Sequence, residues 1–350
     1  MKNILDQVGR LSRKEKLELL EAVGAALAEE LASRGRGRPA ACPHCGCGSF
    51  VKRGRDADGS QRWLCRGCAR TFSAKTMGLL ASSKLDAATW MGFAECLVDA
   101  LPLRECARRC GTSPCTAWFM RMRACEVMGR RLAPCRAGTF HVDDTHLVES
   151  LSGNHARPAR FDMPRRPHRN GRDGRRAAPS ARSKGRVAIT CGVNEYGDCF
   201  CELAAEGAPS AADGMFILGD RVPEGSRVVT DGDLACAAAM GSGSLEGRAH
   251  EAAGCREINM ANALHSRLKG FPAPFHGVAA RRLQRYLDWF RYREQFKNGD
   301  ADKRELLFAH ETEGRYMWTR ALTHLEWRPF VGYYDRRRYA EMTGHISTVV

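Results

Sequence analysis

The sequence predicts a multidomain α+β protein: a small cysteine-stapled ribbon and a helical region, followed by a larger α/β domain with a mixed sheet. Three observations carry that expectation. Two Cys-x-x-Cys pairs stand close together near the N-terminus. Apolar residues recur at helical spacing between 76 and 133. Beyond 138, short apolar runs end in carboxylates, as strands do when they feed acidic loops. With 350 residues and single cores that stop growing near ~250–300, a small head and a larger body are expected.

In chain order, residues 1–37 form an arm and linker. Ile4, Leu5, Val8, Leu11, Leu17, Leu20, Leu27 and Leu31 recur at helical intervals among charges, and RGRGRPAA then breaks the pattern with Gly, Pro and Arg. Residues 38–75 hold the cysteine pairs, CPHC and CRGC, separated by nineteen residues. Each pair offers two thiolates from one tight turn, and two such knuckles complete a tetrahedron. Cys42, Cys45, Cys65 and Cys68 are therefore expected to bind one structural Zn²⁺ with no position left open for water. Cys47 competes with Cys45, but Cys42 with Cys45 keeps the two-residue gap. Between the knuckles, FVKRGRDADGSQRWLC predicts a hairpin with its turn at Asp-x-Asp-Gly. Lys52, Arg53, Arg55, Arg62 and Arg70 are its candidate phosphate contacts.

Residues 76–134 predict two helices separated at Gly111-Thr112, resembling a helix-turn-helix. Ser113 suits the N-cap and Pro114 the first helical position. Arg121 and Arg123 are expected on or near a DNA-facing side. Residues 135–296 change texture. GTFHVDD, RVAITCGV, DCFCELAA and SRVVTDGD read as strands, and an insertion at 152–185, rich in Arg, Gly and Pro, lacks the apolar content of a packed element. Helical patterns return in ANALHSRLKGF and RRLQRYLDWFRYREQF, and 297–350 form a C-terminal extension.

The formal charge of +15 and the pI near 9.3 favour a polyanionic partner, nucleic acid foremost. No run approaches the ~20 apolar residues of a membrane span, and MKNILDQVGRLSRKEK lacks the apolar core of a signal peptide. A soluble, cytoplasmic protein with no membrane partner is expected. Its remaining thiols, Cys96, Cys106, Cys110, Cys115, Cys125 and Cys191 among them, are expected to be reduced packing residues.

Asp143 and Asp144 end one apolar strand, and Asp231 and Asp233 follow another. Carboxylates at the ends of adjacent strands converge on one cleft and suit hard divalent cations. The ribbon CPHCGCGSFVKRGRDADGSQRWLCRGCARTFSAKT, then VDDTHL, VVTDGD and INMANALHSRLKGFPAPFHGVAARRLQRYLDWFRYR, resemble in order bacterial insertion-sequence transposases with a zinc-ribbon head and an RNase H-like catalytic domain. That resemblance implies a first catalytic Asp on the first strand and a second just after the fourth, which map to Asp143 and Asp231. It further implies Mg²⁺ or Mn²⁺ as catalytic metal and double-stranded DNA, both element ends and target, as substrate. A homodimer or higher oligomer on DNA and an association with the nucleoid follow from it. The third position departs from the Glu of many relatives. Asn262 stands there, as in one branch of the family, with His265 and Lys269 three and seven residues on and on the same helix face. Glu257, Asn259 and Glu294 are rivals for that role. A transposase-derived regulator that binds DNA without cutting it is the alternative function.

Overall fold

The computed structural model describes residues 38–56, 59–76, 80, 83–148, 150, 186–231, 240, 245, 247–252 and 258–298, with short pieces of the arm (7–8, 11–19, 22–23, 26) and of 303–307. The insertion 152–185, Asp233, Glu257 and residues 308–350 lie outside the described residues. The chain divides into two compact units, one through Arg131 and one over Leu132–Asn298.

The first unit contains a three-stranded antiparallel sheet of β1 (Phe50–Arg55), β2 (Gln61–Cys65) and β3 (Thr71–Phe72). Its turn closes where Asp-x-Asp-Gly predicted: the Gly59 N–H donates to Asp56 O at 2.9 Å, and Gly59 takes φ +80°. Phe50, Trp63 and Phe72 meet edge to face under this sheet, with Phe50 5.3 Å from Trp63 and 5.2 Å from Phe72. Three rings and the cysteines make up the buried cluster. So small a core needs a metal to hold it.

Three helices follow: α1 (Ala87–Val98), α2 (Leu103–Arg109) and α3 (Pro114–Arg130). Asp86 caps α1 by accepting from the Thr89 N–H at 2.8 Å. Between α2 and α3 the chain reverses through Gly111 at φ +60°. Ser113 caps α3, accepting from the Thr116 N–H at 3.0 Å, and Pro114 opens it, as the sequence led us to expect.

The second unit is α+β with a mixed five-stranded sheet. Its strands are β4 (Thr139–Val148), β5 (Arg186–Asn194), β6 (Cys199–Glu206), β7 (Arg227–Thr230) and β8 (Ala249–Ala252), in the order β6-β5-β4-β7-β8. β4, β5 and β6 pair antiparallel, whereas β7 runs parallel to β4 and β8 parallel to β7. Helices α4 (Ala211–Arg221), α5 (Asn259–Gly270) and α6 (Ala280–Gln295) complete it. Phe140, Val142, Ala188, Phe200 and Val228 pack with Ile217 and Leu218 of α4. The next residue along β7, Val229, points the other way and meets Ile258 and Ala261 at α5. The sheet thus carries α4 on one face and α5 on the other. Gly192 lets Phe200 lie across the first face, since a Cβ there would meet the ring at 2.3 Å.

The β6 edge is closed by side chains of α6. Gln284 accepts from the Leu203 N–H at 2.9 Å and donates to Cys201 O at 3.2 Å, and Arg291 donates to Cys199 O at 3.0 Å. These groups replace the backbone of a sixth strand.

Candidate functional sites

The four predicted cysteines converge. Their sulfurs all lie within 4.8 Å of one another, with Cys42 3.8 Å from Cys68 and Cys45 3.5 Å from Cys65. A tetrahedral zinc with Zn–S of about 2.3 Å puts its sulfurs roughly 3.8 Å apart, so the donor set fits that ion. The two knuckles share one local geometry: a left-handed residue follows the second cysteine of each, Gly46 at φ +74° and Ala69 at φ +54°. The Cys68 N–H holds the Cys65 thiol down to about 6; burial opposes this, and the Gly67 N–H, 3.3 Å from its sulfur, assists. Cys45 gains from the Cys47 N–H, yet the three neighbouring sulfurs push it up to about 12. Four thiolates this close need a cation among them. Cys47 is not one of the four; its sulfur turns to Ser49, accepting from that residue's N–H at 3.4 Å.

Of the predicted phosphate contacts, Lys52, Arg53 and Arg55 are exposed along β1 and Arg70 beyond β2. Arg55 also spans the hairpin turn, donating to Gly59 O at 2.8 Å. Arg62 is half-buried, 3.3 Å from Asp56 and bonded to Thr71 Oγ1 at 3.2 Å.

Arg121 corrects the sequence expectation. It is 1 % exposed, and its Nη2 donates to Leu101 O at 2.7 Å and to Cys106 Sγ at 3.2 Å. It fastens α3 to the start of α2 and cannot present its guanidinium to DNA. Burial of Ala117, Met120, Met122 and Ala124 through Met128 shows why: the middle of α3 is interior, and its exposed residues are Pro114 and Cys115 at the start and Arg130 at the end. Arg123 is half-buried. On α2, Arg104, Arg108 and Arg109 are exposed, the last two sharing Glu105. Cys96, Cys106, Cys125 and Cys191 are buried as expected of packing thiols, whereas Cys115 is exposed and Cys110 half-buried.

On the sheet, Asp143 lies within β4, the first strand of the second unit, and Asp231 directly follows β7, its fourth. His141 pairs with Val229, so the register, carried two residues further, sets Asp143 beside Asp231 on the α5 face. Asp144 alternates to the α4 face, where the Thr190 hydroxyl donates to its Oδ1 at 2.6 Å. Burial raises the Asp143 carboxyl to about 6, the negative charge of Asp231 adds to this, and the Asp144 N–H and the Lys269 ammonium oppose it. Burial likewise raises Asp144 to about 6, against the Thr190 hydrogen bond. Its Oδ2 is buried with no hydrogen-bond partner among the described residues.

Helix α5 brings His265 onto Asp143, Nδ1 to Oδ2 at 3.4 Å and Nε2 to the main-chain oxygen at 3.3 Å. Burial drives the imidazole down to about 4, so at neutral pH it is uncharged and the contact is no ion pair. A proton on Nε2, donated to the carbonyl, leaves the Nδ1 lone pair facing the carboxylate. Asn262 and Lys269 are exposed on the same helix, and the Lys269 charge reaches both Asp143 and His265. Asn259 begins α5 and is exposed; Glu294 is committed elsewhere, to Arg267 at 3.0 Å and Lys297 at 2.9 Å. Among the described residues, the four cysteines are the one group of three or more His, Cys, Asp or Glu whose ligand atoms cluster closely enough for a metal.

Sequence reasoning missed Thr190 as the partner of Asp144. β4 and β5 are joined through the 152–185 insertion, so no turn signal sets their register. No helix of the described residues is long and apolar enough to cross a membrane. Comparison with protein-family models, with curated proteins and with solved structures finds no match for this chain.

Proposed function

We propose that the protein is a DNA transposase of an insertion sequence, with an RNase H-like catalytic domain that cuts and joins DNA strands and a zinc ribbon that helps to hold the element ends. The observation that carries this reading is the pairing of Asp143 and Asp231 on one face of neighbouring parallel strands, at the first strand and just past the fourth, beneath the helix of Asn262, His265 and Lys269. The order of ribbon, helices and acid-bearing strands supports it, as does the basic exposed strand β1.

Asp143 is a carboxyl raised by burial and by a second negative charge, so the pair is short of positive charge and fits a hard cation. Two carboxylates, with the remaining positions left to water and phosphate, are the usual protein share of a Mg²⁺ site. A divalent cation bound there supplies the charge that activates a water or 3′-hydroxyl and stabilises the leaving oxygen. Asp143 and Asp231 would hold it, and Asn262 would offer a neutral amide oxygen. His265 packs against Asp143, with its Nε2 on the main-chain oxygen of that residue. Lys269 binds the scissile phosphate. Backbone contact by Lys52, Arg53, Arg55 and Arg70 makes binding steeply salt-dependent.

The test is strand cleavage and strand transfer on DNA carrying the inverted repeats that flank the coding region. Asp143→Asn and Asp231→Asn each lower cleavage by about 10³-fold or more with binding to the ends nearly unchanged. Wild-type cleavage by both variants would sink the proposal. One observation favours a second reading, a transposase-derived regulator without catalysis: no third carboxylate joins Asp143 and Asp231 among the described residues, and Asn262 brings no charge. On that reading the acid variants match wild type in every DNA assay.

A further inference from the structure

Three thiols of the helical region form a row that neither the zinc site nor the acidic face uses. Cys96 lies in the last turn of α1, and Cys106 and Cys110 lie four residues apart along α2, with the Cys110 N–H donating to Cys106 O at 3.0 Å. Residues four apart share one side of a helix, and here that side meets α1. Leu101 ties the corner: its N–H donates to Cys96 O at 3.0 Å, and its own carbonyl lies 3.6 Å from the Cys106 sulfur. The Cys96 sulfur sits between the other two and hydrogen-bonds with both.

The surroundings make the three unequal. Cys96 and Cys106 are buried, whereas Cys110 is half-buried at the C-cap of α2. Within the row, Cys106 donates to Cys96 and Cys96 donates to Cys110. The hydrogen bond from Cys96 brings the Cys110 thiol below its ordinary value; the Arg109 charge assists, while burial, Cys106 and Glu95 oppose. At Cys96 the bond from Cys106 works downward, but the Cys110 sulfur and burial outweigh it and hold that thiol up at about 11. Cys106 is pushed up by the Cys96 sulfur and by burial, against the guanidinium of Arg121, whose Nη2 lies 3.2 Å from its sulfur. One accessible, more acidic thiol thus has a buried, protonated thiol against it. Oxidants select that pattern, because a thiolate reached by solvent reacts first and an adjacent thiol traps the product before it oxidises further.

We propose that Cys110 and Cys96 are a redox-active pair, with Cys110 the nucleophile towards hydroperoxides and Cys96 the resolving thiol. The Cys110 thiolate attacks an oxygen of hydrogen peroxide, the O–O bond breaks, and hydroxide leaves, so that Cys110 becomes a sulfenic acid. The Cys96 sulfur then attacks the Cys110 sulfur. An S–S bond forms, the S–O bond breaks, and the oxygen departs as water with the Cys96 proton. Both thiols are oxidised, together giving up two electrons, and the peroxide is reduced to water. The new bond ties the end of α1 to the end of α2, beside the exposed Arg108 and Arg109. A dithiol reductant reverses it by exchange. The pair stands apart from the catalytic reading above.

The test treats the full chain, holding zinc, with a modest excess of hydrogen peroxide under native conditions and blocks the remaining thiols with N-ethylmaleimide before unfolding. Tryptic cleavage at Arg104, Arg108 and Arg109 puts Cys96, Cys106 and Cys110 on separate peptides, 85–104, 105–108 and 110–121. Cys115→Ser removes the second thiol from the last of these and serves as the parent protein. Peptides 85–104 and 110–121 should be joined, within a monomeric chain about 2 Da lighter, with zinc content unchanged and with dithiothreitol releasing both. Cys110→Ser should slow the oxidation of Cys96 by about tenfold or more. Cys96→Ser should let Cys110 pass on to the sulfinic acid. A bond from 85–104 to 105–108 instead, both thiols surviving the peroxide, or Cys96 oxidised at an unchanged rate in Cys110→Ser would each overturn the proposal.

Discussion

The ribbon and the acidic face of the sheet reach their geometry by opposite routes. All four ribbon ligands come from two turns within 27 residues of sequence, and each knuckle fixes its pair of sulfurs locally. The acidic face exists only once β4 and β7 have paired across 78 intervening residues and α5 has docked. The ribbon has a core of three rings and the cysteines of a cluster that could hold zinc, whereas the sheet packs a larger apolar core and buries carboxylates within it. A site of the first kind can be read from spacing, while one of the second kind requires the register.

The sharpest way to break this contrast is to remove the zinc. Chelation, or Cys68→Ser, should unfold residues 40–75, because metal binding of roughly 10–16 kcal/mol is the folding energy of such a module. Amide-resolved spectra should show loss of the ribbon signals with the second unit intact; a ribbon that keeps its spectrum would overturn the assignment. The converse experiment is Gly192→Ala. The added methyl meets Phe200 and should cost the second unit about 1–3 kcal/mol in denaturant unfolding, with zinc content unchanged.

Asp143 tests the claim that the acidic face costs stability. Its folded pKa, about 6, lies above its unfolded value near 3.8, so the folded protein holds this proton more tightly. The stabilisation is complete below about pH 4 and is lost as pH rises through 6. Asp143→Asn cannot ionise, so without divalent cations it should be more stable than wild type at pH 7 by about 2 kcal/mol and no more stable at pH 4. Comparing variant with wild type cancels His265, whose folded pKa near 4 gives a slope of opposite sign. Equal stability of the two proteins at pH 7 would contradict a buried, charge-crowded carboxylate. Smallest of all should be Cys47→Ser: zinc stoichiometry stays at one per chain, and the ribbon moves by less than about 1 kcal/mol.

This contrast also explains what could be read in advance. The zinc ligands, the hairpin turn and the Ser113-Pro114 helix start follow from short-range chemistry that the sequence displays directly. Asp143 and Asp231 were visible as acids at strand ends, and period two already set Asp144 on the other face. Arg121 was misplaced because an arginine in a helix reads as surface, and only tertiary packing reveals that the middle of α3 is interior. The roles of Gln284 and Arg291 were invisible: that helix looks merely amphipathic until the strand order makes β6 an edge.

That edge has a consequence for how the chain is made. Leu203 waits 81 residues for Gln284. At a ribosomal rate of about 5–20 residues per second, the nascent sheet spends roughly 4–16 s with its β6 hydrogen-bonding groups open to any other strand. A bound chaperone, slow translation of 207–283, or the lack of either should therefore decide how much of this protein emerges soluble from the cell, independently of how stable the finished fold is.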